Sequence, residues 1–147
     1  MTNRRQFLRH LTLPAAAGFP AIVKASALGL GGSVAPSNRV TIATVGVGWM
    51  GGDHVTEFLK IPEAQILAVC DVDEEHLNAA RYKIDMKYGG QGCATYHAFE
   101  ELFSRRDLDA VTLALPDHWH ALAAVQAARA GKDIYGDKPL AHNFHEG

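Results

Sequence analysis

Along the chain, short β-branched apolar runs alternate with segments whose apolar residues recur every three or four positions. Arg39 to Val45 (Arg-Val-Thr-Ile-Ala-Thr-Val) is such a run. It lies directly before a glycine cluster and is short enough to be a strand buried on both faces. From Met50 to about Lys60, Val55, Phe58 and Leu59 fall at helical spacing and Pro62 stops the helix; Gln65 to Cys70 is a second apolar run. Asp73 is placed to cap the next helix, with Glu74 and Glu75 in its first turn, where the dipole favours anions. Leu77, Ala80 and Ile84 are its buried stripe, and Gly89-Gly90 closes it. A short strand at Ala94 to Tyr96 precedes a helix with Phe99, Leu102 and Phe103 on one face. Ala110 to Leu115 is the next buried strand. Leu122 and Val125 mark a helix from about His118 to Ala130, ended by Gly131, and Asp133 to Tyr135 is a fifth strand. Asn143 with Glu146 three residues on has the form of an N-cap and its acidic partner, the start of another helix.

Strands alternating with helices in this manner require a parallel sheet, because each connection must cross over to return in the same direction. The expected fold class is therefore α/β, a doubly wound parallel sheet of Rossmann type, over residues 39–147. A length of 147 residues with 48% hydrophobic content supplies one modest core, hence one domain.

Charge narrows the partners. With Lys+Arg 14 against Asp+Glu 16, and no basic cluster interleaved with aromatics, nucleic acid is not indicated. No run is long and apolar enough to form a stable membrane anchor. Residues 1–27 carry Arg4, Arg5, Arg9 and Lys24 and no acid. After Arg4-Arg5 come Gln6-Phe7-Leu8, then a mildly apolar run from Leu11 to Val23, then Ala25-Ser26-Ala27. This resembles a twin-arginine signal peptide cleaved after Ala-x-Ala, and implies an exported, periplasmic protein. Thr2 stands one place too early for the usual pattern. An amphipathic helix there is opposed by Pro14, Gly18 and Pro20. Residues 28–38, rich in Gly, Ser and Pro, read as a linker. Cys70 and Cys93 sit in or beside strands and read as buried, structural thiols.

The candidate chemistry gathers where strands end. Gly46-Val47-Gly48-Trp49-Met50-Gly51 matches G-x-G-x-x-G between a strand and a helix. In that setting Gly46 permits the tight turn, Gly48 lets the backbone approach a pyrophosphate, and Gly51 lets the helix lie close to the strand. The helix start, with Trp49 and Met50, offers free N–H groups to phosphates. Asp71, about 20 residues beyond Gly51, ends the second strand where a carboxylate can accept from adenosine ribose hydroxyls. It would repel a 2′-phosphate and no arginine follows it, which favours NAD over NADP. The bland alternative is a structural turn and a solvated acid. Leu115-Pro116-Asp117-His118-Trp119-His120 starts at the end of the fourth strand, on the crevice side, so Pro116 and His120 are placed beside a cofactor while Trp119 reads as packing. His118 and His120 lack a third ligand, so no metal is expected. Gly136-Asp137-Lys138-Pro139-Leu140 follows the fifth strand, where Lys138 beside Asp137 could donate to a substrate hydroxyl or carbonyl, or be a solvated surface lysine.

Taken together, the glycine turn, Val69-Cys70-Asp71-Val72-Asp73, the Leu115 to His120 turn and Asp137-Lys138-Pro139-Leu140 resemble the Gfo/Idh/MocA oxidoreductases, the glucose-fructose oxidoreductase and inositol dehydrogenase group. The resemblance runs from about Arg39 onward. It implies an active-site role for Lys138, the counterpart of the lysine in a Glu-Lys-Pro motif, which here follows an aspartate. It places the fourth-strand turn, with Pro116 and His120, beside the nicotinamide, and implies hydride transfer between nicotinamide and a sugar or cyclitol hydroxyl. Members continue into an α+β domain that binds substrate and carries further catalytic residues, including a histidine; that domain is expected to be absent from these 147 residues. The expected function is thus the cofactor half of an oxidoreductase, binding a nicotinamide dinucleotide and meeting a sugar-like substrate only if a second domain is supplied. The alternatives are an inactive binding module or truncated gene product, and an adenosylmethionine-dependent methyltransferase using the same turn. An apolar sheet edge left uncovered would make oligomerisation possible.

Overall fold

In the computed structural model, residues 34–90 and 92–147 are described, so the signal-type segment 1–27 and residues 28–33 of the linker lie outside them. The apolar runs become five strands: β1 Val40–Val45, β2 Ala64–Cys70, β3 Ala94–Tyr96, β4 Ala110–Leu113 and β5 Asp133–Gly136. Between them run helices α1 Trp49–Phe58, α2 Glu74–Tyr88, α3 Phe99–Phe103 and α4 Asp117–Arg129. All pairings are parallel, in the order β3-β2-β1-β4-β5. Strand order reverses between β1 and β4, so a crevice opens there at the carboxyl ends of the strands. The register of β1 on β2 shifts between Ile42 and Ala43.

The three central strands, β1, β2 and β4, bury residues on both faces, as their composition requires, whereas β5 is exposed along its length. One face carries Ile42, Ile66 and Val69 against Val55 of α1 and Leu77, Ala80 and Ile84 of α2. The other carries Ala43, Val45, Ala68, Val111 and Leu113 against Leu102 and Phe103 of α3 and Ala123 and Ala127 of α4. Asp73 caps α2 by accepting from the N–H groups of Glu75 and His76, at 2.8 and 3.1 Å. Those backbone donors, His76 foremost, hold its carboxyl below the ordinary range. Gly89 ends α2 at φ 72° with its N–H on the Asp85 carbonyl.

Three details go beyond what the pattern along the chain specified. In α4 the residues against the sheet are His120, Ala123 and Ala127, whereas Leu122 and Val125 are each 46% exposed. Alanines let the helix lie close to the strands, and the larger apolar side chains face outward. Residues 34–38 of the linker are not featureless: Pro36–Asn38 form a 3-10 turn, and the Arg39 guanidinium reaches back to the Val34 carbonyl at 2.8 Å. The Asn143 cap does form, with its side chain accepting from His145 and Glu146 N–H while Glu146 accepts from His142 N–H, but over a turn rather than a regular helix.

The outward placement of Leu122 is testable. Leu102→Ala, at a fully buried position, is expected to cost about 2–5 kcal/mol in urea unfolding followed by circular dichroism. Leu122→Ala is expected to stay within about 0.5 kcal/mol of the parent; an equal loss in both would put Leu122 in the core.

Candidate functional site

The strand ends form a stepped crest. Gly46 N–H donates to the Cys70 carbonyl, Asp71 N–H to Tyr96, Ala114 N–H to Val45 and Asp137 N–H to Leu113, so the ladder runs one residue past each strand. The chain leaves β1 at Gly46 with φ 78°. A Cβ on Gly46 would stand 2.1 Å from the Ala114 carbonyl oxygen, and one on Gly51 would stand 1.8 Å from the Gly46 carbonyl oxygen. Backbone thus fills the space a side chain would need, and α1 starts directly over the crevice. A Cβ on Gly48 would instead meet only the His76 ring, at 3.2 Å. Gly48 leaves a surface open.

That surface borders a groove of about 490 Å³, lined by Gly46, Gly48, Trp49, Met50, Gly51 and Asp71 and, opposite, by Phe99, Leu115, Pro116 and Trp119. Small-molecule pockets are roughly 300–1,000 Å³. The first intrahelical bond of α1 is Gly52 N–H to the Gly48 carbonyl, 2.7 Å. The N–H groups of Trp49, Met50 and Gly51 therefore precede the ladder, and none has an acceptor among the described residues. They are the groups a phosphate would meet. Among the described residues no lysine or arginine lines the groove. A larger, more open depression of about 590 Å³, on the outer side of α2 beside Arg81 and Tyr82, holds none of these features.

Asp71 has two jobs in this arrangement. One carboxylate oxygen accepts the Val47 N–H at 2.8 Å, fixing the glycine turn, and the other accepts the Asp73 N–H at 3.0 Å. Its side chain is 11% exposed. Each oxygen keeps a further lone pair, so the group can still accept from hydroxyls in the groove. Two histidines that the sequence reading did not single out flank it. His76 Nδ1 lies 3.8 Å from the Asp71 carboxylate, and His97 bridges the Asp71 carbonyl and the Glu74 carboxylate, each at 3.1 Å. His97 directly follows β3, a position the carboxyl-end rule for such sheets would have flagged.

Elsewhere the expected residues divide. Trp49 is 92% exposed at the turn, and Trp119, 43% exposed, lies on the groove edge-on to Phe99, so it does more than fill the core. Pro116 caps α4 and borders the groove. His120 does not border it: the ring is buried, with Nε2 2.7 Å from the Leu115 carbonyl, so its place is beneath the loop, holding the loop's shape. His118 is exposed beside Trp119, so the two histidines of the turn do not converge. No group of three potential metal ligands occurs among the described residues. Lys138 stands exposed at the end of β5, outside the lining of the groove but on the same carboxyl edge of the sheet. Asp137 faces His54 of α1, 3.3 Å away, rather than Lys138. Cys70 lies on the groove floor with its thiol pushed up to about 12, by burial first and the Asp71 charge second; Cys93, likewise buried, is pushed up to about 11.

Residues 40–147 match the family model described as "Oxidoreductase family, NAD-binding Rossmann fold". The chain belongs to the Gfo/Idh/MocA oxidoreductase family. Among curated relatives, a glycosyl hydrolase family 109 protein 2 of Shewanella sp. (strain ANA-3) is 32% identical over 98% of this chain and 35% of its own length. A glycosyl hydrolase family 109 protein of Shewanella pealeana is 29% identical over similar shares, 98% and 35%. The chain spans about a third of the curated relatives it matches. Among solved structures, scyllo-inositol dehydrogenase of Lactobacillus casei, with NAD(H) and scyllo-inositol bound, superposes with TM-score 0.66 at 25% identity, over 74% of this chain and 30% of that one. The myo-inositol dehydrogenase of the same organism, with NAD(H) and myo-inositol, gives 0.65 at 26%, over 74% and 31%. The Gfo/Idh/MocA chain is thus a nicotinamide-dinucleotide-binding domain, and the methyltransferase alternative has no support.

The glycines differ in kind, and substitution separates them. Gly51→Ala is expected to prevent the native turn, seen as loss of the cooperative thermal transition. Gly48→Ala should fold, since only a side chain must give way, yet bind dinucleotide about tenfold or more weakly in calorimetry because its methyl enters the groove. Cys70 should resist iodoacetamide at pH 8 in the folded protein and react on unfolding, since the thiolate is scarce below its raised pKa.

Proposed function

We propose that this chain is the cofactor half of an oxidoreductase that moves hydride between a nicotinamide and a hydroxyl on a polyhydroxylated ring. The observation that carries the reading is the groove at the β1–β4 crevice, lined by three N–H groups without an acceptor among the described residues and by the Asp71 carboxylate. The residues present fit the dinucleotide. Trp49, Met50 and Gly51 would hold the pyrophosphate through backbone N–H, and Asp71 would accept from the adenosine ribose. The nicotinamide, when bound, supplies the hydride acceptor or donor. Leu115, Pro116 and Trp119 form the wall past which the ring would lie. Lys138, one strand further along the same edge, would donate to the hydroxyl or carbonyl oxygen of a substrate held by a second domain.

The ring class rests on the relatives. Two solved neighbours hold inositol together with NAD(H), and the curated relatives are named glycosyl hydrolases. Cyclitols and glycosides share a ring bearing several hydroxyls. NAD is favoured over NADP because an anionic side chain ends β2 and no lysine or arginine lines the groove among the described residues. Export by a twin-arginine route, which carries folded protein, would let the domain travel with its cofactor already bound. That reading rests on Arg4-Arg5, the apolar run and Ala25-Ser26-Ala27.

Calorimetry of the full chain with NAD⁺ and NADH is expected to give saturable binding tighter than NADP⁺; heat of dilution alone would overturn the proposal. Asp71→Asn keeps an acceptor for Val47 N–H while removing the charge, and is expected to narrow the NAD preference by about tenfold, one to two kcal/mol of lost discrimination. Export is tested separately. Residues 1–38 fused to a reporter that folds before transport should reach the periplasm, and Arg4→Lys with Arg5→Lys should retain it inside.

A further inference from the structure

We infer that His54 is a positioning residue that links the cofactor-binding helix to the Lys138 turn. The inference rests on the dinucleotide reading above, and adds a connection within the domain that neither the glycine motif nor the lysine motif contains. His54 lies three residues beyond Gly51, on the helix whose first turn would meet the pyrophosphate. Its Nε2 stands 3.3 Å from Oδ1 of Asp137, the residue immediately before Lys138. Neither partner is freely solvated, with side chains 13% and 26% exposed. A carboxylate offers only acceptor sites, so a donor contact here requires the proton on the ring nitrogen that faces it.

The contact is held from below. The His54 ring meets Tyr135 of β5 edge-on at 5.5 Å, and Tyr135 meets Phe58, one turn further along α1, at 5.8 Å. Asp137 is fixed from the other side by its N–H on the Leu113 carbonyl, 3.0 Å. The second half of α1 and the end of β5 are therefore joined by an aromatic contact and a polar one side by side. A movement of α1 toward bound phosphate is carried to Asp137, and so to the backbone of Lys138. Asp137 does not need to touch the lysine for this. It orients the turn from which the lysine projects, and its shorter side chain suits a partner that comes from the helix.

The experiment is amide nuclear magnetic resonance of the full chain titrated with NAD⁺. In the parent, shifts are expected both at Val47 to Met50 and at Gly136 to Leu140. His54→Phe keeps the ring packing on Tyr135 and removes the nitrogen; it should retain the first set and lose the second. Asp137→Ala removes the other partner and should act alike, while His54→Gln, which can still donate to Asp137, should restore the second set. Shifts at the β5 end that persist undiminished in His54→Phe would overturn the linkage, since they would then come from direct contact with the cofactor. Shifts confined to the glycine turn in the parent would overturn it too, leaving dinucleotide binding intact. Absence of shifts at both places would overturn the dinucleotide reading and the linkage with it.

Discussion

The closeness of three backbone segments governs this domain. The Gly46 carbonyl fills the space beside Gly51, and the Ala114 carbonyl fills the space beside Gly46. No side chain larger than hydrogen fits at either place, so the turn after β1, the start of α1 and the end of β4 occupy one spot. The crevice between β1 and β4, which topology creates, is thereby walled by a helix start. Polar N–H groups then open onto it as a by-product of how tightly the helix is seated.

The electrostatics of the groove follow from that seating. Among the described residues, its carboxylate or cationic lining side chains are Asp71 and Glu100, accompanied by His76 and His97. An anionic ligand is therefore met by backbone dipoles rather than by fixed cations, and the Asp71 carboxylate on the same groove is partly engaged by Val47 N–H. A groove of this kind separates the two ends of an extended ligand by chemistry: N–H donors at the helix, acceptors beyond them. The low-lying thiol of Cys70 adds no charge and no nucleophile to the floor.

Much of this was legible along the chain, because the features that matter are local. The β-branched runs, the Asp73 cap, the Leu77, Ala80 and Ile84 stripe and the glycine spacing each involve residues within a few positions of one another, and all reappear in the fold. What escaped depends on contacts between distant segments. Leu122 and Val125 marked the helix by spacing and apolarity, without showing which face meets the sheet. Which face of α4 meets the sheet is decided by how close the helix must come, and alanine wins there. His120 read as a groove residue from its position in a turn, yet the turn folds over it. His54 and Asp137 are 83 positions apart, and nothing in either neighbourhood announces the other. Spacing led to the expectation of Asp71 as a ribose acceptor, but its bond to Val47 N–H was not legible, since that requires knowing how the turn is seated.

This last bond restricts how the domain can diversify. Residue 71 both braces the glycine turn and places a negative charge on the groove. A lineage drifting toward a differently decorated adenosine cannot simply discard the acid, because an alanine or an arginine there would leave the Val47 amide without its acceptor. The open paths are short polar side chains that keep one oxygen in place, with any new positive charge arriving from a neighbour such as the exposed Val72. A change of charge at this position is consequently tied to the seating of the glycine turn, and only a side chain that retains an oxygen there separates the two.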